Sequence, residues 1–351
     1  MNIPFSDLIA TEAAEMIRST AAAAEQSNQL HPAQLELVLR NNWFNLFVPK
    51  TNGGLELSFP EALQLEEALA WVDGSFGWTV TLCSGANFFI GFLEPGIAAE
   101  LFNNPKVCFA GSGAATGTAE LKADGYHIAG KWKYATGAPH ATVFTCVCNL
   151  KENGAILKDG NGIAATAAFW LFPSEVKLQH DWNMMGMRAT ASLSFEAGPI
   201  VVPSNRRFEI DPAYAVLPQA VYRFPFLQFA EATLCVNFSG MAMRFLELYF
   251  LHTAEPDKAA IKLQQELMEA RDIFYEKINN SWTKLLQQSH IPDGLLTDIS
   301  RCSRDLYAVC GKLMQTLYPA MGMQAADSST EANRIWRNFH TASQHKLLRD
   351  A

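Results

Sequence analysis

Between Val107 and Pro203 the chain changes its hydrophobic rhythm, and afterwards it changes back. Ahead of that stretch the apolar residues recur at helical spacing. EAAEMIRSTAAAAEQ is rich in Ala and Glu, and HPAQLELVLRNN follows a proline suited to a helix first turn. PEALQLEEALAWV opens with Ser58 as cap and Pro60 in the first turn. Inside the stretch the period falls to two. KVCFAGSG, ATVFTCVCNL, ATAAFWLF and SLSFEAGPIVVP alternate, and LKADGYHIAGKW places Asp-Gly between two such runs, a strong hairpin signal. Beyond residue 210 long helical segments return, enough for an antiparallel bundle of about four helices. The pattern predicts an α+β fold that is mostly α. It has an N-terminal helical domain over 1–106, a middle antiparallel, barrel-like β-domain over 107–205, and a C-terminal helical bundle over 206–351.

Bulk composition narrows the function classes. With 351 residues, 49% of them hydrophobic, the chain can bury a sizeable core. A formal net charge of −8 argues against an extended polyanion such as a nucleic acid as partner. No uninterrupted apolar run reaches the roughly 18 residues of a bilayer span. The opening MNIPFSDLIATEAAEMIRS carries acids where a secretory signal would carry Lys or Arg, so a cytoplasmic location is expected. Seven cysteines lie scattered without a CxxC pair, and eight histidines show no ligand spacing, so no metal site is expected.

NMMGMRATAS, Asn183 to Ser192, crowds three methionines and a glycine around one arginine. Adaptable methionines and a glycine that can be approached closely suit the rim of a cleft. Together with LFVPKTNGGLELSFPEALQLEEALAWVDGSFGW, GYHIAGKWKYATGAPHA and LYPAMGMQAADSSTEANRIWRN, it resembles, in the same order, segments of the acyl-CoA dehydrogenase-like flavoproteins. The resemblance implies a flavin between the β-domain and the C-terminal bundle, FAD in the broader family with FMN as the alternative. It also implies a homo-tetramer or homo-dimer, and a small-molecule substrate that is an acyl thioester or an aromatic compound. A flavin reductase or an electron-transfer flavoprotein is the implied redox partner.

Candidate residues follow from these segments. On a strand Tyr134 and Thr136 share a face, where a ring can pack on an isoalloxazine edge and a hydroxyl can bond its reactive nitrogen or pyrimidine oxygen. The small residues Gly111, Ser112 and Gly113 would bring backbone N–H groups close to the flavin, although the acids usual in the dehydrogenases are missing there. Arg188 would stand at the flavin or the substrate mouth. Cys83, Ser84 and Asn87 are the small polar members of a helix expected to line the substrate cavity.

The reaction itself turns on the C-terminus. The dehydrogenases abstract a proton with a Glu placed after an Arg-Asp pair, whereas here Arg337-Asn338 is followed by FHTASQHKLL and no acid precedes Asp350. Glu231 and Glu247 in the bundle are the remaining carboxylate candidates. RNFHTASQH instead resembles the flavin-dependent monooxygenases of this fold, with His345 the first choice of acid/base and His340 the second. A flavin-dependent oxidoreductase is therefore expected. Dehydrogenase has the broader resemblance and monooxygenase the better local chemistry. A degenerate member that binds a flavin or small ligand without turnover is the reading from another class.

Overall fold

The structure, a computed structural model, describes residue 5 and residues 7–158, 160–253, 255 and 257–349. The N-terminal part holds α1 (Thr11–Ser27), α2 (Pro32–Arg40), α3 (Phe59–Val72), α4 (Gly74–Asn87) and α5 (Pro95–Phe102). α3 starts where its cap requires. The Ser58 hydroxyl accepts from the Glu61 N–H while the Glu61 carboxylate accepts from the Ser58 N–H at 2.8 Å, a reciprocal box with Pro60 in the first turn. Asp73 ends α3 and caps α4 in one residue, accepting from the Phe76 N–H at 2.9 Å, so the two helices join without a loop.

The middle of the chain forms one sheet of eight strands. They are β1 (Phe109–Lys122), β2 (Gly125–Ala135), β3 (Val143–Glu152), β4 (Ala155–Ile156), β5 (Thr166–Leu171), β6 (Val176–Gln179), β7 (Leu193–Val202) and β8 (Arg207–Phe208). The Asp-Gly hairpin forms as expected, with Lys122 opposite Gly125. One pairing departs from the antiparallel expectation: β3 runs parallel to β1, with Phe109 opposite Val143. The cause is topological. β2 returns the chain to the start of β1, and the segment 136–142 crosses that end, so β3 sets out in the direction of β1.

The bundle consists of α6 (Phe226–His252), α7 (Lys258–Gln288), α8 (Asp293–Ala320) and α10 (Glu331–Ala342), with the short α9 (Met323–Ala326) and α11 (Lys346–Arg349). α6 is long and apolar enough to cross a membrane by length and composition, but 78% of its most apolar window is buried inside the protein. It is the central core helix. α3 packs against it so closely that a Cβ on Gly240 would lie 2.3 Å from the Glu67 carbonyl oxygen.

Adjacent glutamates on α3 point to different neighbours, being a hundred degrees apart on a helix. The Glu67 carboxylate is fully buried and accepts from Ser239 Oγ at 2.5 Å, Tyr275 OH at 2.7 Å and Arg271 Nε at 2.8 Å, tying α3 to α6 and α7. Its neighbour Glu66 has no cation among the described residues; its Oε1 accepts from Ser84 Oγ on α4 at 3.1 Å, and its Oε2 has no partner among them. Burial pushes this carboxyl well above the ordinary range.

Two outcomes are expected in urea unfolding. Glu67→Ala strands the Arg271 charge in the interior and should cost about 3 to 5 kcal/mol. For Glu66 the folded pKa lies above the unfolded one, so its contribution is full below the unfolded pKa and is lost as pH rises toward the folded pKa. Glu66→Gln, neutral at every pH, should therefore stabilise the protein more at pH 8 than at pH 5.

Candidate functional site

The NMMGMRATAS stretch is the strap that fixes the β-domain to α10. A Cβ on Gly186 would meet the Arg337 carbonyl oxygen at 2.1 Å, so only glycine permits the approach. The Gly186 N–H donates to Thr341 Oγ1 at 3.0 Å and the Met187 N–H to Asn338 Oδ1 at 2.6 Å. Asn338 Oδ1 also accepts from Ser75 Oγ of α4 at 3.4 Å, so one buried amide joins loop, α10 and α4. Arg337 completes the strap by donating to the Met185 carbonyl at 2.7 Å and pairing with Glu25 of α1. Arg188, expected at the flavin, is half-buried and directs its Nε to the Glu25 carbonyl at 3.4 Å, on the α1 side of the strap. Nothing in the order of residues marks Glu25, and the Arg337-Asn338 pair shows in the sequence as a motif but not as a clamp.

Beside the strap lies the end of β2. Tyr134 adopts φ +68° and is 60% exposed, edge-on to Trp182 at 6.1 Å. Trp182 is held by its Nε1 donating to the Met187 carbonyl at 2.8 Å. Thr136 is buried, and its hydroxyl joins Ser192 Oγ at 2.8 Å, which in turn joins Thr190 Oγ1 at 2.7 Å. The Gly137 N–H donates to the Thr190 carbonyl at 2.9 Å, so the turn after Thr136 and the strap move as one piece.

On β1, Gly113 has nothing within 4 Å of a would-be Cβ, and Ser112 is half-buried next to it. Gly111 answers to its own sheet instead, because a Cβ there would strike Thr145 Oγ1 at 2.0 Å. The exposed Tyr134 ring and the buried hydroxyl chain two residues on, which do not share a face because the backbone turns at Tyr134, offer contacts of the kind a flat heteroaromatic ring such as a flavin can use.

α4 forms the wall behind this edge. Cys83, Ser84 and Asn87 are all fully buried, and each is occupied in joining elements together. Cys83 Sγ donates to the Thr136 carbonyl at 3.7 Å and lies 2.6 Å from a would-be Cβ on Gly137. Ser84 meets Glu66. Asn87 donates to Asn45 Oδ1 at 2.7 Å and accepts from the Phe109 N–H at 2.7 Å, anchoring the start of β1. Their polarity is legible from residue type, but the direction in which each faces is not. Trp78 of the same helix packs edge-on to His345 at 6.1 Å.

His345 keeps an open side to solvent, and the protein mass on its other side holds its pKa below that of an ordinary imidazole. Its Nδ1 accepts from the Leu347 N–H at 3.4 Å, which leaves the proton of the neutral ring on Nε2. His340 is packed on Trp336 at 4.3 Å with its Nε2 buried and unpartnered, and burial lowers its pKa as well. The two carboxylate candidates are both engaged. Glu247 accepts from Arg244 at 2.7 Å and from Trp71 Nε1 at 3.0 Å. Glu231 accepts from Ser300 and, at 3.4 Å, from Arg304, beside a cavity of about 560 Å³ between α6, α8 and Leu347.

No family model matches the chain. The indole-3-acetate monooxygenase of Acinetobacter baumannii is 24% identical over 95% of this chain and 89% of that protein. Among solved structures, the HsaA monooxygenase from M. tuberculosis superposes with a TM-score of 0.87 at 20% identity, covering 96% of this chain and 93% of that one. XiaF from Streptomyces sp., solved with FADH2 and glycerol, superposes at 0.81 and 20% identity over 96% and 89%. Helical domain, central sheet and C-terminal bundle define the acyl-CoA dehydrogenase-like fold. The chain has that fold and is similar to flavoproteins that include flavin-dependent monooxygenases, and it is a flavin-dependent oxidoreductase.

The strap can be tested directly. Gly186→Ala should destabilise the protein by roughly 2 to 3 kcal/mol, because a methyl must be forced against an α10 carbonyl. Unchanged denaturation midpoints would show that the approach is not constrained.

Proposed function

We propose that this protein is the oxygenase component of a flavin-dependent monooxygenase that hydroxylates a small aromatic compound. In this reading it receives reduced flavin, FAD in preference to FMN, from a separate reductase. The observation that carries it is His345. An imidazole with a lowered pKa, open to solvent on one side, follows the Arg337-Asn338 pair where a dehydrogenase would place its carboxylate, while Glu231 and Glu247 are engaged elsewhere. The relative that oxidises indole-3-acetate and the neighbour solved with FADH2 support the same reading.

When bound, reduced flavin would supply two electrons for the reduction of O2, one oxygen atom entering the ring and the other leaving as water. The protein's share is positional. Tyr134 and Trp182 offer an aromatic edge to the cofactor, and Thr136 offers a hydroxyl oxygen. His345, neutral at pH 7 with its proton on Nε2, can give a proton through that atom and take one back. Trp78 packs edge-on against one side of the ring.

A lowered histidine pKa sets the sign of the pH dependence. The neutral imidazole dominates above pH 6.5 and down into a window below it, so the acid limb of the rate should fall below 6.5. His345→Ala should abolish that limb and reduce hydroxylation by about 10²- to 10⁴-fold. The assay mixes the protein with reduced flavin under anaerobic conditions, then adds oxygen with a phenol or indole. Bleaching of bound oxidised flavin by an acyl-CoA would overturn the reading in favour of a dehydrogenase, and full turnover by His345→Ala would remove the assigned residue.

A further inference from the structure

The hydroxyl chain at the end of β2 has a direction, and that direction can be read from its far end. Thr190 Oγ1 stands 2.8 Å from the Met187 carbonyl oxygen. A contact that short between two oxygens is favourable only when the hydroxyl donates, because a carbonyl has no proton to give. With its single proton used there, Thr190 Oγ1 must accept from Ser192 Oγ at 2.7 Å. Ser192 has then used its own proton and must accept from Thr136 Oγ1 at 2.8 Å. Thr136 is left with lone pairs alone for any group that arrives at it. Thr136, Ser192 and Thr190 are 6%, 4% and 1% exposed, so bulk water has little access to reorient the chain.

This polarity has a redox consequence, which rests on the reading that the cleft takes a flavin. The reactive nitrogen of the flavin, N5, is a hydrogen-bond acceptor when the ring is oxidised and carries an N–H when it is reduced. A pyrimidine oxygen is an acceptor in both states and would meet the Thr136 lone pairs unfavourably. We propose that Ser192 and Thr190 are positioning residues that hold the Thr136 hydroxyl as an acceptor only, so that the end of β2 favours reduced over oxidised flavin. The chain reads the redox state of its cofactor through two side chains that need not touch it.

The test is a ratio of dissociation constants measured without turnover. Oxidised FAD is titrated by fluorescence, and dithionite-reduced FAD is titrated under anaerobic conditions by ultrafiltration, with the flavin in the filtrate assayed after re-oxidation. The wild-type protein should bind the reduced form more tightly. Ser192→Ala and Thr190→Val each release the Thr136 proton toward the cleft. Each should lower the ratio of oxidised to reduced dissociation constants by about tenfold, the worth of one hydrogen bond. Ser192→Thr keeps the relay and should keep the ratio.

Variants that weaken both redox forms alike, leaving the ratio unchanged, overturn the proposal, since mere loosening of the strap would do that. Wild-type protein that retains neither form overturns the flavin reading itself. Should Thr190→Val fail to fold, Ser192→Ala removes only an oxygen and carries the test alone.

Discussion

The contact on which the rest of the site depends is the seating of Gly186 and Met187 on α10. There is no room for a side chain between that backbone and the Arg337 carbonyl, and the Met187 N–H is bound by a buried asparagine at 2.6 Å. Because Ser75 of α4 contacts the same amide oxygen, the sheet, the first domain and the bundle meet at Asn338. A loop fixed at this point can hold Met187 and Ala191 in left-handed conformations, at φ +52° and +45°, which cost energy for residues with a Cβ. The surrounding contacts hold them there, and in doing so they aim Thr190 and Ser192 at Thr136.

The buried acids of the helical core are either paired with arginines or pushed toward the neutral form. Glu67 is matched by Arg271, Glu247 and Glu331 share Arg244, with Arg18 3.9 Å from Glu331, and burial pushes the Glu66 carboxyl well above the ordinary range. A buried carboxylate left unpaired would cost several kcal/mol, a cost that the arginines offset for their partners and that the raised pKa reduces for Glu66. What remains open to solvent at the end of this core is an imidazole.

Much of this was legible from residue order, and the failures have a common cause. Ser58, Pro60 and Glu61 start α3 because a cap is a local interaction among neighbours, and Asp124-Gly125 turns the hairpin for the same reason. The parallel pairing of β3 with β1 was not legible, since it depends on the path taken by residues 136–142. Cys83, Ser84 and Asn87 look like cavity residues on a helical wheel, yet each meets a partner from a distant element: Thr136, Glu66 and Phe109. Arg188 stands out as the single cation of its loop, and its partner is a carbonyl on α1, far away in sequence.

By itself the sequence determined the three-part architecture, the class of cofactor, and the presence of histidine where a carboxylate would stand in a dehydrogenase. Those properties are written in periodicity and in short motifs, whose physics spans a few residues. Only the tertiary structure decided which polar groups are spent on holding the molecule together and which remain for chemistry. A hydroxyl or an amide has no fixed role until its partners are known, and here those partners come from three different layers of the fold. The direction of the Thr136–Ser192–Thr190 chain is the sharpest instance. It is set by a carbonyl at residue 187, and no reading of the letters alone could have oriented it.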